Sequence, residues 1–307
     1  EADIQACFDT IDHAALMGRI RARISDARIL SLVKAFLRSG VMTTSGDHQE
    51  TLTGTPQGGI LSPLLANIAL SLLDEHFSRQ WQQQMGTSYQ RSRRRRHGEA
   101  NYRLVRYADD FVVVVAGQRC HAERLREDVA GVLAPMGLHL SPEKTRVVHI
   151  DEGLDFLGFR IRRMRKRGTS KSYVYTVPSK KAIASIKEQV RTRTSRSTLH
   201  LTLAELLTTI GRVLRGWANY FRHGVSKAVF NTIDSYAWER IATRIQRKHN
   251  RIGWPELRRR FCDRGWRFAS ETVTFTGASS VAVSRYRYRG GSIATPWTPK
   301  PTAPVPG

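Results

Sequence analysis

The positive charge of this chain is confined almost wholly to one half. Residues 1–160 carry 20 Lys or Arg against 19 Asp or Glu, a balance of +1, whereas residues 161–307 carry 30 against 7, a balance of +23. A segment with that excess repels itself unless something anionic neutralises it, so the two halves predict separate units, one with a polyanionic partner. The 307 residues, 40% hydrophobic and 8% aromatic, suffice for two folded cores and exclude disorder throughout. No apolar run approaches the roughly 20 residues that span a bilayer, and no signal-peptide pattern opens the chain. Cys7, Cys120 and Cys262 are odd in number, far apart and without a C-x-x-C pair, which argues against a disulfide framework or a cysteine-ligated zinc. Reduced thiols in a cytoplasmic protein, nucleoid-associated if bacterial, with no membrane partner, are the expectation. The chain starts at Glu1 without Met and its first strand begins at once, so we expect an N-terminus cut inside a domain.

Asp3 to Phe8 reads as a short strand. Thr10 or Asp12 can cap a helix to about Ile24, and Asp26 a second one whose Ile29, Leu30, Val33, Phe36 and Leu37 share a face, with Gly40 as its stop. After a Gly/Pro-punctuated turn at 53–59, Ser62-Pro63 opens a long helix with Leu65, Ile68, Leu72 and Leu73 inward. The polar, Arg-rich residues 82–101 read as an exposed excursion. Arg103 to Val115 predicts two strands meeting at Ala108-Asp109-Asp110, the second, Phe111–Val115, buried on both faces. A helix at about 121–135 and a hairpin of 145–150 with 155–161 complete the neutral half. Helical periodicity then takes over at 178–195, 202–222, 226–249 and 255–262, followed by a strand-like segment at 272–289 and a Pro-rich tail.

Asp3, Asp109 and Asp110 are the chemically suggestive residues. Adjacent strand residues face opposite ways, so only a tight turn brings Asp109 and Asp110 to one spot. An Asp pair in a turn is ordinarily just solvated. Here it lies between apolar strands, in a chain that binds polyanions elsewhere. Carboxylates at the base of such a cleft call for cations between themselves and phosphates. Two divalent ions about 3.5–4 Å apart would activate a 3′ hydroxyl and stabilise departing pyrophosphate, and magnesium suits oxygen ligands and phosphates.

Tyr107-Ala108-Asp109-Asp110 in this setting resembles the catalytic motif of reverse transcriptases. Asp3-Ile4 with Phe8-Asp9 is similar to the family's first catalytic strand. The resemblance implies Asp3 as the further metal ligand and Phe8 as the aromatic that blocks a 2′ hydroxyl. Thr55-Pro56-Gln57-Gly58-Gly59-Ile60-Leu61-Ser62-Pro63 resembles the nucleotide-pocket motif, with Gln57 and Gly58 beside the incoming nucleotide. Leu140-Ser141-Pro142-Glu143-Lys144 and Phe156-Leu157-Gly158-Phe159 look like the next two motifs. They imply Lys144 near the nucleotide and Phe156, Leu157 and Gly158 gripping the primer end. Each piece alone has an ordinary explanation as a turn, a cap or a buried hairpin; five in order do not.

The basic half interleaves aromatics with its bases, most of them at core spacing, some at helix ends where they could stack on unpaired bases. Candidate RNA contacts are Arg93, Arg94, Arg95, Arg163, Arg165, Lys166, Arg215, Arg222, Arg247 and Lys248. Leu214-Arg215-Gly216-Trp217-Ala218-Asn219-Tyr220-Phe221 resembles the thumb, or maturase domain X, of reverse transcriptases encoded by group II introns, and 286–297 resembles the C-terminal segment of some of them. The implied fold is α+β: a polymerase palm, an antiparallel sheet flanked by helices, followed by a basic helical thumb. The expected division is a palm at 1–161, a basic connector hairpin at 162–177, the thumb at 178–250, a C-terminal maturase segment at 251–295 and a tail at 296–307. The implied function is RNA-directed DNA synthesis with two Mg2+ ions, joined to assistance in intron splicing and mobility. Its partners would be group II intron RNA, an RNA template/DNA primer duplex, dNTPs and target DNA, with a homodimer compatible. The family's N-terminal fingers precede Asp3 and are not in this sequence, which puts the chain's own activity in doubt. Nor does it hold the cysteines of a zinc endonuclease domain, so no target-DNA cleavage of its own is expected. The rival readings are a non-enzymatic RNA-binding splicing maturase and a domesticated or defence-associated reverse transcriptase.

Overall fold

The structure, a computed structural model, describes residues 2–42, 48–49, 53–55, 59–166 and 168–284. It separates into two compact units, Glu1–Leu157 and Gly158–Gly307.

In the first unit the helices are α1 (Cys7–Thr10), α2 (His13–Arg21), α3 (Ala27–Arg38), α4 (Ser62–Gln80), α5 (Ser88–Arg96) and α6 (Arg119–Leu133). The strands are β1 (Val41–Met42), β2 (His48–Gln49), β3 (Asn101–Tyr107), β4 (Asp110–Ala116) and β5 (Leu154–Phe156). Asp12 caps α2 through Ala15 N–H at 2.7 Å, and Asp26 caps α3 through Arg28 N–H at 2.8 Å. Pro63 lies in the first turn of α4, where its missing N–H leaves no bond unmade. One core joins Ile4, Ile11, Leu16 and Ile20 to Leu70, Leu73 and Phe77 of α4, Phe111 of β4 and Leu133 of α6.

Within the first unit the structure departs from the sequence reading in four places. The segment expected as a strand through Phe8 makes only isolated bridges, at Ala2 and Ile4, and then turns through Ala6 (φ 45°) into α1. Residues 82–101 are not a loop: a π-helical turn at Trp81–Met85 leads into α5, whose Thr87 and Gln90 form a reciprocal capping box. The strand β4 is buried on both faces only at Phe111 and Val112, 1% and 5% exposed; further along, Val114 is 58% exposed, and Val105 of β3 is 47% exposed. Residues 145–150 form no strand; the long hairpin lies later in the chain.

That hairpin opens the second unit, pairing β6 (Phe159–Arg165) with β7 (Ser172–Pro178), Arg162 facing Tyr175 in register. Four helices follow, α7 (Lys180–Arg193), α8 (Leu203–Phe221), α9 (Lys227–Lys248) and α10 (Trp254–Phe261). Leu206, Leu207, Ile210, Leu214, Ala218 and Phe221 recur at helical spacing on α8 and pack against Phe230, Ile233, Ala237 and Ile241 of α9 in a second core. Thr202 and Glu205 close a capping box at the start of α8. Instead of a strand at 272–289, the described part makes a single bridge, Ala269 with Thr274, and a 3-10 turn at Ala278–Ser280. Among the described residues no helix is long and apolar enough to cross a membrane.

Candidate active site of the first unit

The β3–β4 hairpin pairs Tyr107 with Asp110, so its loop is only Ala108-Asp109. Two-residue hairpin loops need positive φ at their first central residue, a position glycine fills most cheaply. Ala108 adopts it without being glycine, at φ 54°. Such strain persists only where surrounding contacts impose it. Here they come from Arg106, whose Nη1 donates to Ala108 O at 2.7 Å and to Asn67 Oδ1 at 3.0 Å. The rest of its guanidinium forks onto both carboxylate oxygens of Asp74 on α4, the two side chains being 10% and 11% exposed. The turn is therefore bolted to the long helix. Sequence reasoning missed Arg106; an arginine on the core-facing side of a hairpin was the available signal.

Asp3 reaches the same place from the other end of the chain. Ala2 bridges Phe111 in antiparallel sense, with Ala2 N–H donating to Phe111 O at 3.2 Å, which sets Asp3 opposite Asp110. On its other side Ser141 N–H donates to Asp3 O at 2.8 Å. Directly opposed carboxylates repel. Partial burial, with Asp109 and then Asp3 nearby, holds the Asp110 carboxyl above the usual aspartate range. Lys144 offsets this, its Nζ lying 2.8 Å from Asp3 Oδ2. The hydrogen bond and charge of Asp3 raise the Lys144 pKa in turn. Beneath them Cys7 is buried, its thiol pushed up to about 12 by desolvation and by Asp109.

Lys144, expected near the nucleotide, lies against the Asp3 carboxylate in the structure. Among the described residues no three acidic, His or Cys side chains form a ready metal-ligand set. The donor chemistry nonetheless suits a hard divalent cation: Asp3 and Asp110 are opposed and mutually repelling, Asp109 is in the adjoining turn, and the ammonium against Asp3 is exposed.

Phe8 sits on α1, half-buried, and its carbonyl accepts the N–H of Thr55. Gly54 (φ 81°) packs so closely there that a Cβ would stand 2.5 Å from Phe8 O, and its own carbonyl meets His13 Nε2 at 2.6 Å. Gly54 and His13, neither expected as a site residue from the sequence, thus fix the loop against Phe8. Gln57 and Gly58 lie outside the described residues. Phe156 and Leu157 are half-buried, and Leu157 (φ 49°) and Gly158 (φ 77°) adopt consecutive left-handed conformations, as a two-residue turn requires.

The proposed RNA contacts differ in their engagement. Arg94 is bound internally, to Ala100 O, to Gln84 and to Glu99 at 3.0 Å, whereas Arg93 and Arg95 on the same helix are exposed. Arg163, Arg165 and Lys166 stand exposed on the β6–β7 hairpin, with Arg165 Nε donating to Thr169 O. Arg215, Arg222 and Arg247 lie in the second unit without a carboxylate partner among the described residues, and Lys248 Nζ donates to Leu201 O at 2.8 Å.

Comparison with known proteins assigns a family to each part of the chain. Residues 1–161 match the reverse transcriptase (RNA-dependent DNA polymerase) family model, and residues 183–266 match the group II intron maturase-specific domain. The chain is 36% identical to Protein YkfC of Escherichia coli strain K12 over 197 residues, 59% of this chain and 51% of that protein. It is 31% identical to the group II intron-encoded protein LtrA of Lactococcus lactis subsp. cremoris over 215 residues, 56% of this chain and 36% of LtrA. A 91 kDa protein in a cob intron of Schizosaccharomyces pombe is 24% identical over 286 residues, 76% of this chain and 35% of that protein. The chain thus spans about half the length, or less, of the curated relatives it matches. With Tyr107-Ala108-Asp109-Asp110 held in a strained hairpin opposite Asp3, and a maturase-specific domain following in sequence, the chain belongs to the reverse transcriptase family.

Proposed function

We propose that the chain carries the polymerase palm and the RNA-holding thumb of a group II intron reverse transcriptase, acting in the cytoplasm where intron RNA is made. The observation that carries this is the register that sets Asp3 opposite Asp110, with Asp109 in the strained turn beside them. Asp3, Asp109 and Asp110 would hold two Mg2+ ions, which when bound supply activation of a primer 3′ hydroxyl and neutralisation of the leaving pyrophosphate. Lys144 releases Asp3 as the site is loaded and turns its ammonium toward the triphosphate. Phe8 fills the space beside the sugar and selects against a 2′ hydroxyl, with Gly54 holding the loop that leads to Gln57 and Gly58. Phe156, Leu157 and Gly158 grip the primer end. Exposed bases of the second unit neutralise phosphates of the template duplex and of intron RNA.

Primer extension by the full chain on an RNA template with Mg2+ tests the reading. Asp109→Ala is expected to lower synthesis on the order of a thousandfold, the scale of removing a key electrostatic group from an active site. Unchanged synthesis overturns it. A second reading, an RNA-binding splicing factor without polymerase activity, is favoured by Lys144 lying on Asp3. It predicts intron splicing assistance that survives Asp109→Ala in a chain that extends no primer.

A further inference from the structure

On the surface of the second unit, α8 turns three polar residues to one side: Arg215, Asn219 one turn on, and Arg222 just past the helix end. The chain returns across this face at 276–282, and between them lies a cavity of ≈ 390 Å³ lined by Arg215, Asn219, Arg222, Thr276 and Ser280, with only Val281 and Ala282 apolar. The wall is fixed in place. Asp234 of α9 accepts the N–H groups of Ala278 and Ser279 at 2.6 and 2.9 Å. Gly277 packs on that carboxylate so tightly that a Cβ would lie 2.3 Å from it. At the other end Ser284 N–H donates to Arg222 O at 3.0 Å, and His223 Nδ1 meets Ser284 O at 2.9 Å.

The two guanidinium groups are poorly satisfied. Among the described residues Arg215 reaches only Thr276 Oγ1, at 3.5 Å, the outer limit of a hydrogen bond. The Nε–H of Arg222 is shut off from solvent and has no acceptor among the described residues, so a phosphate oxygen in the cavity meets it only when the side chain shifts toward the ligand. Among the described residues neither arginine has a carboxylate partner. A guanidinium N–H deprived of both water and an acceptor is unfavourable, and a planar fork of donors matches a phosphate oxygen pair. The hydroxyl of Thr276 and the amide of Asn219 add neutral donors, whereas the Ser280 hydroxyl already donates to Gly277 O at 2.6 Å.

We propose that this cavity seats a single phosphate group, clamped between Arg215 and Arg222. The proposal deepens the reading of the second unit as an RNA-holding thumb by naming one seat on it. The group is either a backbone phosphodiester of bound RNA or a free phosphate.

The test is a titration of the full chain with inorganic phosphate, followed through the 15N side-chain signals of its arginines. A saturable shift of the Arg222 Nε–H signal is expected, weakened roughly tenfold in Arg215→Gln, about the value of one charge-assisted hydrogen bond. Arg212→Gln, exposed on the same helix but outside the cavity, is expected to leave it unchanged. A short RNA duplex that displaces phosphate from Arg222 assigns the seat to a phosphodiester; saturable phosphate binding that RNA does not disturb assigns it to the free anion. If neither phosphate nor RNA moves the Arg222 signal of the unsubstituted chain, or if Arg212→Gln weakens binding as much as Arg215→Gln, the proposal is overturned. The reading as a polymerase is judged separately by primer extension, which does not enter this measurement.

Discussion

At the residue scale, the arrangement turns on a few side chains that satisfy each other inside the first unit. Arg106 and Asp74 are nearly buried, so their attraction offsets a large desolvation cost only while both are present. Asp74→Asn is expected to destabilise the chain by about 3–5 kcal/mol, read from urea denaturation, because it leaves Arg106 charged and uncompensated. The double variant Arg106→Met with Asp74→Leu should recover much of that stability yet still lose primer extension, since nothing then holds the Ala108 carbonyl; recovered extension would show the turn needs no such support. Asp110 works in the opposite sense. Its folded pKa is raised, so its ionised form is disfavoured by folding, a penalty present at neutral pH and relieved as pH falls through the folded pKa. Without divalent cations, Asp110→Asn is therefore expected to raise the melting temperature by about 1–4 °C at pH 7 and by nothing in strong acid, while abolishing synthesis. A loss of stability at pH 7 would contradict it. Cys7, buried and pushed up to about 12, should resist iodoacetamide at pH 8 in the native chain, whereas exposed Cys120 reacts, as mass spectrometry of the alkylated protein would show.

At the element scale, caps and helical periodicity were the legible signals. Asp12, Asp26 and Pro63 mark ends that the structure keeps, because a cap acts within a few residues of itself. Ser179 does the same for α7: it is buried and accepts Ala182 N–H at 3.1 Å. Ser179→Ala should cost about 1 kcal/mol in thermal unfolding, and no measurable cost would mean the cap is redundant. The misread elements share a cause. Residues 88–96 looked like a loop because five of the nine are arginine, yet arginine is a good helix former and the capping box needs only Thr87 and Gln90. The apolar run of β4 looked doubly buried, but periodicity cannot say whether a second layer covers a strand.

At the scale of the whole molecule, the division of charge sets the physics of binding. A half with +23 against a polyanion should show steep counterion release. Affinity for intron RNA is expected to fall on the order of a thousandfold between about 50 and 200 mM salt, measured by filter binding. A shallow dependence would remove the basic half from the RNA interface. The distribution matters more than the sum: Arg94 and Lys248 are engaged by the chain itself, and sequence had no means of subtracting them.

The order of motifs along the chain determined the candidate carboxylates, the helical character of the basic half and the division of charge, because motif spacing, periodicity and composition are local properties. Only tertiary structure decided that Asp3 stands opposite Asp110, that Lys144 lies on Asp3, that Arg106 bolts the turn to α4 and that Arg215 and Arg222 share a cavity with residues 276–282. Each of these joins segments that the sequence holds far apart, and the pairing is chosen by which buried charges and hydrogen-bonding groups can satisfy one another once the cores have formed.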